Sequence, residues 1–159
     1  MEERLEERLY IPEACVRLVI KEDGEGYGTS REVVQGSQQA QRFIKDLLID
    51  FDREVLGMLN LNSKCEVLNW SIVGIGDLAS CSFTGREILK CAILSNSAGV
   101  VLFHNHPSGD PVPSAEDFDS TRKICEACKL LGISLLDHII VGSGTGRVVS
   151  LKEEYPEVF

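Results

Sequence analysis

The 159-residue chain has no run of about 20 apolar residues and no leading basic-plus-apolar segment, so neither a membrane span nor a secretion signal is expected. It also lacks a basic patch. Net charge is −9, and the cationic side chains Arg42, Lys45, Arg53, Arg86, Lys90, Arg122, Lys123 and Lys129 are scattered. Acidic residues thicken towards both ends: Glu2, Glu3, Glu6 and Glu7, then Glu153, Glu154 and Glu157. Such a surface repels phosphate backbones and releases few counterions, which argues against direct nucleic-acid binding. Disulfide spacing is missing as well, because Cys15, Cys65, Cys81, Cys91, Cys125 and Cys128 fall mostly inside apolar segments. Cys125 and Cys128 form a Cys-x-x-Cys, but no second pair follows at zinc-site spacing, and i and i+3 share a helix face; buried packing is expected. These features predict a cytoplasmic protein with reduced thiols. There is no repeat, low-complexity tract or long linker, and 159 residues suffice for one domain that buries about 68–70% of its unfolded surface.

What is present alternates between strand-like and helix-like periods. Residues 10–21 read as a strand, followed by the turn-like cluster Glu22-Asp23-Gly24-Glu25-Gly26, so 1–29 is expected to be an amino-terminal strand and flexible loop ahead of the domain at 30–159. Ala40, Phe43, Ile44 and Leu47 recur at helical spacing, with Ser37 as a candidate cap, and that helix is expected to pack under a sheet. Residues 54–61 and 64–73 are β-rich runs separated by Asn62-Ser63, a hairpin signal. Thr84-Gly85-Arg86-Glu87 matches a capping box at the head of a helix. The unbroken apolar run 99–103 predicts a central strand covered on both faces. A helix follows over 116–131, and then strands at 133–141 and 147–151. The pattern is α+β, a mixed curved sheet flanked by helices.

The chemistry is concentrated in His104-Asn105-His106-Pro107-Ser108-Gly109-Asp110-Pro111-Val112-Pro113-Ser114-Ala115-Glu116-Asp117. Residues i and i+2 of an extended segment point to one side, so His104 and His106 can present both imidazoles to one cation. Asp117 would return from the start of the next helix. Two neutral nitrogens and one carboxylate oxygen suit Zn²⁺, and three protein ligands leave a tetrahedral position open. Asp117 has a second claim on it, because Ser114-Ala115-Glu116-Asp117 is itself a capping box and a carboxylate is favoured in a first helical turn. Ser108, Gly109, Pro107, Pro111 and Pro113 read as loop geometry.

This string resembles the signature of the JAMM (JAB/MPN+) zinc metallohydrolases and is similar above all to the RadC-like branch. The likeness extends to Arg86-Glu87, Thr121, Leu130-Leu131-Gly132-Ile133 and Leu136-Asp137-His138-Ile139-Ile140-Val141-Gly142, over residues 30 to 153. It departs at Gly85, where RadC-like chains usually carry proline. The resemblance implies an MPN/JAB1-like (cytidine-deaminase-like) fold, Zn²⁺ held by His104, His106 and Asp117, and Ser114 as donor to the oxyanion of a tetrahedral intermediate.

The resemblance further implies a glutamate from an early strand as general base. Glu54 heads an apolar strand as the family's glutamate does; Glu87 is taken by its capping box, and Glu66 alternates like an exposed strand residue. Glu54 would take a proton from water and return it to the leaving amine. His138 reads as a core histidine, or else as a partner of the ligands. The implied activity is a zinc-dependent hydrolase cleaving an amide or isopeptide-like bond in a peptide or protein. The competing readings are a DNA repair or replication accessory without proteolytic turnover, and a silent scaffold of the kind that loses the metal ligands.

Overall fold

The computed structural model describes residues 37–76 and 85–159; the strand and loop expected within 1–29, and Thr84 of the expected capping box, lie outside them. Helix α1 (Ser37–Leu48) buries Ala40, Ile44 and Leu48, the i, i+4, i+8 stripe expected from its spacing. Strands β1 (Val55–Leu61) and β2 (Val67–Ile75) pair antiparallel. Helix α2 (Gly85–Leu94) leads into β3 (Gly99–His106), and α3 (Ala115–Leu130) follows the proline-rich loop. Strand β4 (Ser134–Gly142), short β5 (Val148–Ser150), α4 (Leu151–Glu154) and a final 3₁₀ turn at Pro156–Val158 complete the order.

The sheet runs β2-β1-β3-β4-β5, with β3 and β4 parallel and the other neighbours antiparallel. Strand β3 is central and buried except at His106, as its apolar run predicts. Pleating sorts its side chains onto two cores. Val100 and Leu102 join Leu56, Met58, Leu135 and the buried residues of α2 and α3, including Cys125 and Cys128. Val101 and Phe103 join Val55, Leu59, Leu61, Ile139, Val141 and α1 on the opposite face. The result is the expected mixed α+β sheet with helices on both faces. Gly57 is required here, because a Cβ at that position would collide with the ring of Phe103.

Two local expectations are corrected. The hairpin is wider than a two-residue turn. Cys65 N donates to Asn62 O at 3.0 Å, Asn62 N to Glu66 O at 3.0 Å, and Cys65 takes the left-handed φ of 60° that a turn-plus-bulge connection needs. Asn62 Oδ1 accepts from Lys64 N and Glu66 N and stabilises the longer loop. Ser37 is the first residue of α1, and its hydroxyl donates to Asp137 Oδ2 at 3.1 Å, tying the helix to β4.

Candidate metal centre

The pleat that places Val100 and Leu102 towards α3 carries on to His104 and His106, while Asn105 turns the other way. The first turn of α3 brings Asp117 to the two histidines. His104 Nε2 lies 3.0 Å from His106 Nε2 and 3.2 Å from Asp117 Oδ1, and His106 Nε2 lies 3.6 Å from Asp117 Oδ2. Strand β1 supplies the fourth group. The β1–β3 register ends at Leu56↔His104, and two residues earlier in the chain, just ahead of β1 and on the pleat side of Leu56 and Met58, is Glu54. A carboxylate oxygen of Glu54 and one nitrogen from each histidine all lie within 4.8 Å of one another. Glu54 also borders an open cleft with Arg53, Gly76 and Pro107.

Hydrogen bonds determine which nitrogens face the centre. Thr121 Oγ1 donates its only proton to Asp117 O at 2.6 Å, so at its 2.6 Å contact with His138 Nδ1 the imidazole is the donor. His138 is fully buried, and burial, reinforced by His104, pushes its pKa down to about 3. Neutral His138 therefore carries its lone pair on Nε2, and His104 Nδ1, 2.8 Å away, must donate to it. A neutral His104 is left with its lone pair on Nε2. His106 reaches the same state separately, since its Nδ1 donates to Asp110 O at 2.8 Å.

The two claims on Asp117 fall on different oxygens. Oδ2 accepts from Ser114 N and Ser114 Oγ, both at 2.7 Å, and Ser114 Oγ accepts from Asp117 N at 3.1 Å, which completes the expected capping box. Oδ1 remains turned towards His104. Burial by itself would raise the pKa of this carboxyl, but the bonds involving His104, His106 and Ser114 hold it well below the usual carboxylate range. The same Asp117 raises the pKa of His106, against the effect of burial.

In its neutral form each imidazole thus turns an Nε2 lone pair towards the ionised Asp117, and a proton taken up there bonds to the same carboxylate, in the place a cation would occupy. Such a set attracts a cation. Separations of 3.0, 3.2 and 3.6 Å bracket the ~3.3 Å between ligands of a tetrahedral zinc with bonds of about 2.0–2.1 Å. The residues present fit that ion.

The structure therefore brings together His104, His106, Asp117, Ser114 and Glu54. It keeps the rival glutamates apart from them. Glu66 accepts from Asn62 Nδ2 at 2.6 Å at the hairpin, the opposite end of β1, and Glu87 Oε2 accepts from Lys90 Nζ at 2.7 Å on α2. His138 is the buried histidine expected, and its partner is the candidate ligand His104. Thr121 was visible only as part of the family resemblance, and Asn105 only as the residue between two histidines. Thr121 had one local signal, its i+4 spacing from Asp117 on a helix.

A mixed sheet with helices on both faces and a histidine-carboxylate cluster at one end of its central strand defines a JAB-type domain. A family model described as the RadC-like JAB domain matches residues 34–156, and the chain belongs to that family. It is 41% identical over 123 residues to a UPF0758 protein of Desulfitobacterium hafniense, covering 77% of this chain and 53% of that one. A UPF0758 protein of Methanococcoides burtonii is 47% identical over 105 residues, 66% of this chain and 45% of the relative. One from Methanosarcina acetivorans is 51% identical over 96 residues, covering 60% and 41%. The chain spans about half the length of the relatives it matches. Among the described residues, no helix is long and apolar enough to cross a membrane.

Proposed function

We propose that the chain is a zinc-dependent hydrolase of amide or isopeptide-like bonds, acting on a peptide or protein rather than on nucleic acid. The observation that carries this is the convergence of His104 Nε2, His106 Nε2 and Asp117 at 3.0 to 3.6 Å, each able to present a lone pair to one cation. Zinc held by these three would supply Lewis acidity and lower the pKa of water towards about 7.

Glu54 and Asp117 compete for the third ligand position, and their surroundings favour Asp117. It is buried and immobilised by the capping box, whereas Glu54 is half-buried beside the cleft, where a group that exchanges protons with water and a leaving amine must stand. Ser114 is exposed, and its proton is directed at Asp117 Oδ2. Rotation about its side-chain bond redirects that proton to a substrate oxygen, at the expense of one bond to Asp117.

Elemental analysis after zinc reconstitution tests the centre. About one zinc per chain is expected for three ligands at one site, with most of it lost in His106→Ala and Asp117→Ala. Undiminished zinc in both variants overturns the assignment. Turnover is tested by comparing the peptides released from a proteome by the zinc-loaded wild type, by His106→Ala and by a no-enzyme control; a wild-type pattern identical to the control excludes the hydrolase.

A further inference from the structure

Asn105 stands between the two histidines and points away from them, yet it is completely buried and every polar atom of its side chain is bonded. Its Oδ1 accepts from Val55 N at 2.8 Å. Its Nδ2 donates to Arg53 O at 3.0 Å and to Ser143 Oγ at 2.8 Å. The amide orientation follows from its partners, since a backbone N–H only donates and a carbonyl only accepts. Arg53 and Val55 flank Glu54.

We infer that Asn105 is the positioning residue for Glu54. The main-chain ladder between β1 and β3 ends at Leu56↔His104, so it does not reach Glu54. Continued by one pair, it would set Val55 opposite Asn105; there the side-chain amide takes the place of the missing backbone partner. A third restraint comes from the residue that follows β2, since Gly76 N donates to Glu54 O at 2.8 Å. The peptide units on both sides of Glu54 are thereby fixed, and its Cβ keeps the direction set by the pleat, towards His104 and His106. A buried amide satisfied on both its oxygen and its nitrogen is costly to replace, because truncation strands the N–H of Val55 and the carbonyl of Arg53. One short side chain therefore couples the strand that carries the histidines to the backbone that carries the glutamate. The chemical meaning of this coupling rests on the hydrolase reading above.

The test compares metal-free and zinc-loaded wild type with Asn105→Ala and Asn105→Asp. In Asn105→Ala the amide of Val55 should exchange with solvent at least about tenfold faster, while the amides from Leu56 to Leu61, which the strand ladder protects, stay unchanged. The crystal structure of that variant should show the Glu54 carboxylate displaced from the histidine nitrogens, with zinc still bound. Asn105→Asp keeps an acceptor for Val55 N and loses the donor to Arg53 O, so Val55 protection should be restored while Arg53 shifts. A merely structural asparagine would instead loosen all of β1 and β3 together, and the aspartate would give no selective rescue. Unchanged Val55 exchange in Asn105→Ala, or Glu54 undisplaced in both variants, overturns the inference. If exchange and displacement behave as expected but no variant or wild type binds zinc, the positioning stands and the hydrolase reading falls.

Discussion

Thr121 and His138 meet at 2.6 Å, and the direction of that hydrogen bond determines which nitrogen of His104 is left for a cation. Thr121→Val removes the acceptor, leaves His138 Nδ1–H buried without a partner, and frees His138 to reverse its tautomer. Zinc affinity should then fall by about 10–100-fold, the usual effect of losing a group that orients a ligand. Thr121→Ser should retain most of it. Chelator competition measures both, and long-range nitrogen NMR of the metal-free wild type should find the His104 proton on Nδ1. A proton on Nε2 would contradict the relay.

Acid should weaken the metal-free protein in two stages of the same sign. The pKa of His138 is lowered from 6.5 to about 3, so below pH 6.5 the unfolded chain takes up a proton that the folded chain refuses. Stability should fall by up to about 1.4 kcal/mol per pH unit across that window. Asp117, lowered from 3.8, adds a further loss below that value. His106 has the opposite sign: with its pKa raised, its contribution is complete below pH 6.5 and disappears as pH rises through the folded value. Urea midpoints between pH 7 and 4 should show the slope, and His138→Asn should flatten it. An equal slope in that variant would remove His138 from the account.

The sheet was readable because apolar runs and turn residues report burial directly, and 99–103 proved to be the inside of the central strand. The cluster was readable because His104, His106, Ser114 and Asp117 lie within fourteen residues, where pleat and helix entry decide their directions. Contacts that depend on tertiary register were not. Nothing local announces that Asn105 reaches Arg53 and Val55 fifty residues earlier, or that His138 on β4 meets His104 through the parallel β3–β4 pairing. The length of the hairpin loop was not legible for a different reason, since Cys65 occupies a left-handed position that composition assigns to glycine or asparagine.

Gly142 should matter to the centre through backbone packing. A Cβ there would strike the carbonyl oxygen of Gly109 and come within 2.7 Å of Thr145 Oγ1. Gly109 O accepts from Thr145 Oγ1 at 2.8 Å and from Arg147 Nη2 at 3.1 Å, and the next carbonyl, Asp110 O, accepts from His106 Nδ1. Gly142→Ala should therefore lower stability by about 1–3 kcal/mol and zinc affinity by about tenfold. Gly85→Ala, on α2 with nothing within 4 Å of the added carbon, is the control and should leave zinc binding unchanged. Calorimetry with chelator titration of both variants decides it, and normal affinity in Gly142→Ala would show that the loop does not set His106.

Glu54 and Ser114 are separable by what each loses. If Glu54 moves protons and does not hold metal, Glu54→Gln should keep its zinc and its melting temperature while turnover drops by about two to four orders of magnitude. The rival set of Glu54, His104 and His106 predicts the reverse: zinc would leave Glu54→Gln and stay in Asp117→Asn. Ser114→Ala should retain metal and lose about 0.5–2 kcal/mol of stability, because Asp117 N loses its cap acceptor. If Ser114 also donates to the oxyanion, its turnover should fall further than that cost explains, by about 10²–10³ for one lost donor. Denaturation curves give the first quantity and kinetics on a cleaved peptide the second. Wild-type turnover in Glu54→Gln would end the assignment of this glutamate, since Glu66 and Glu87 are bonded elsewhere and neither can take its place.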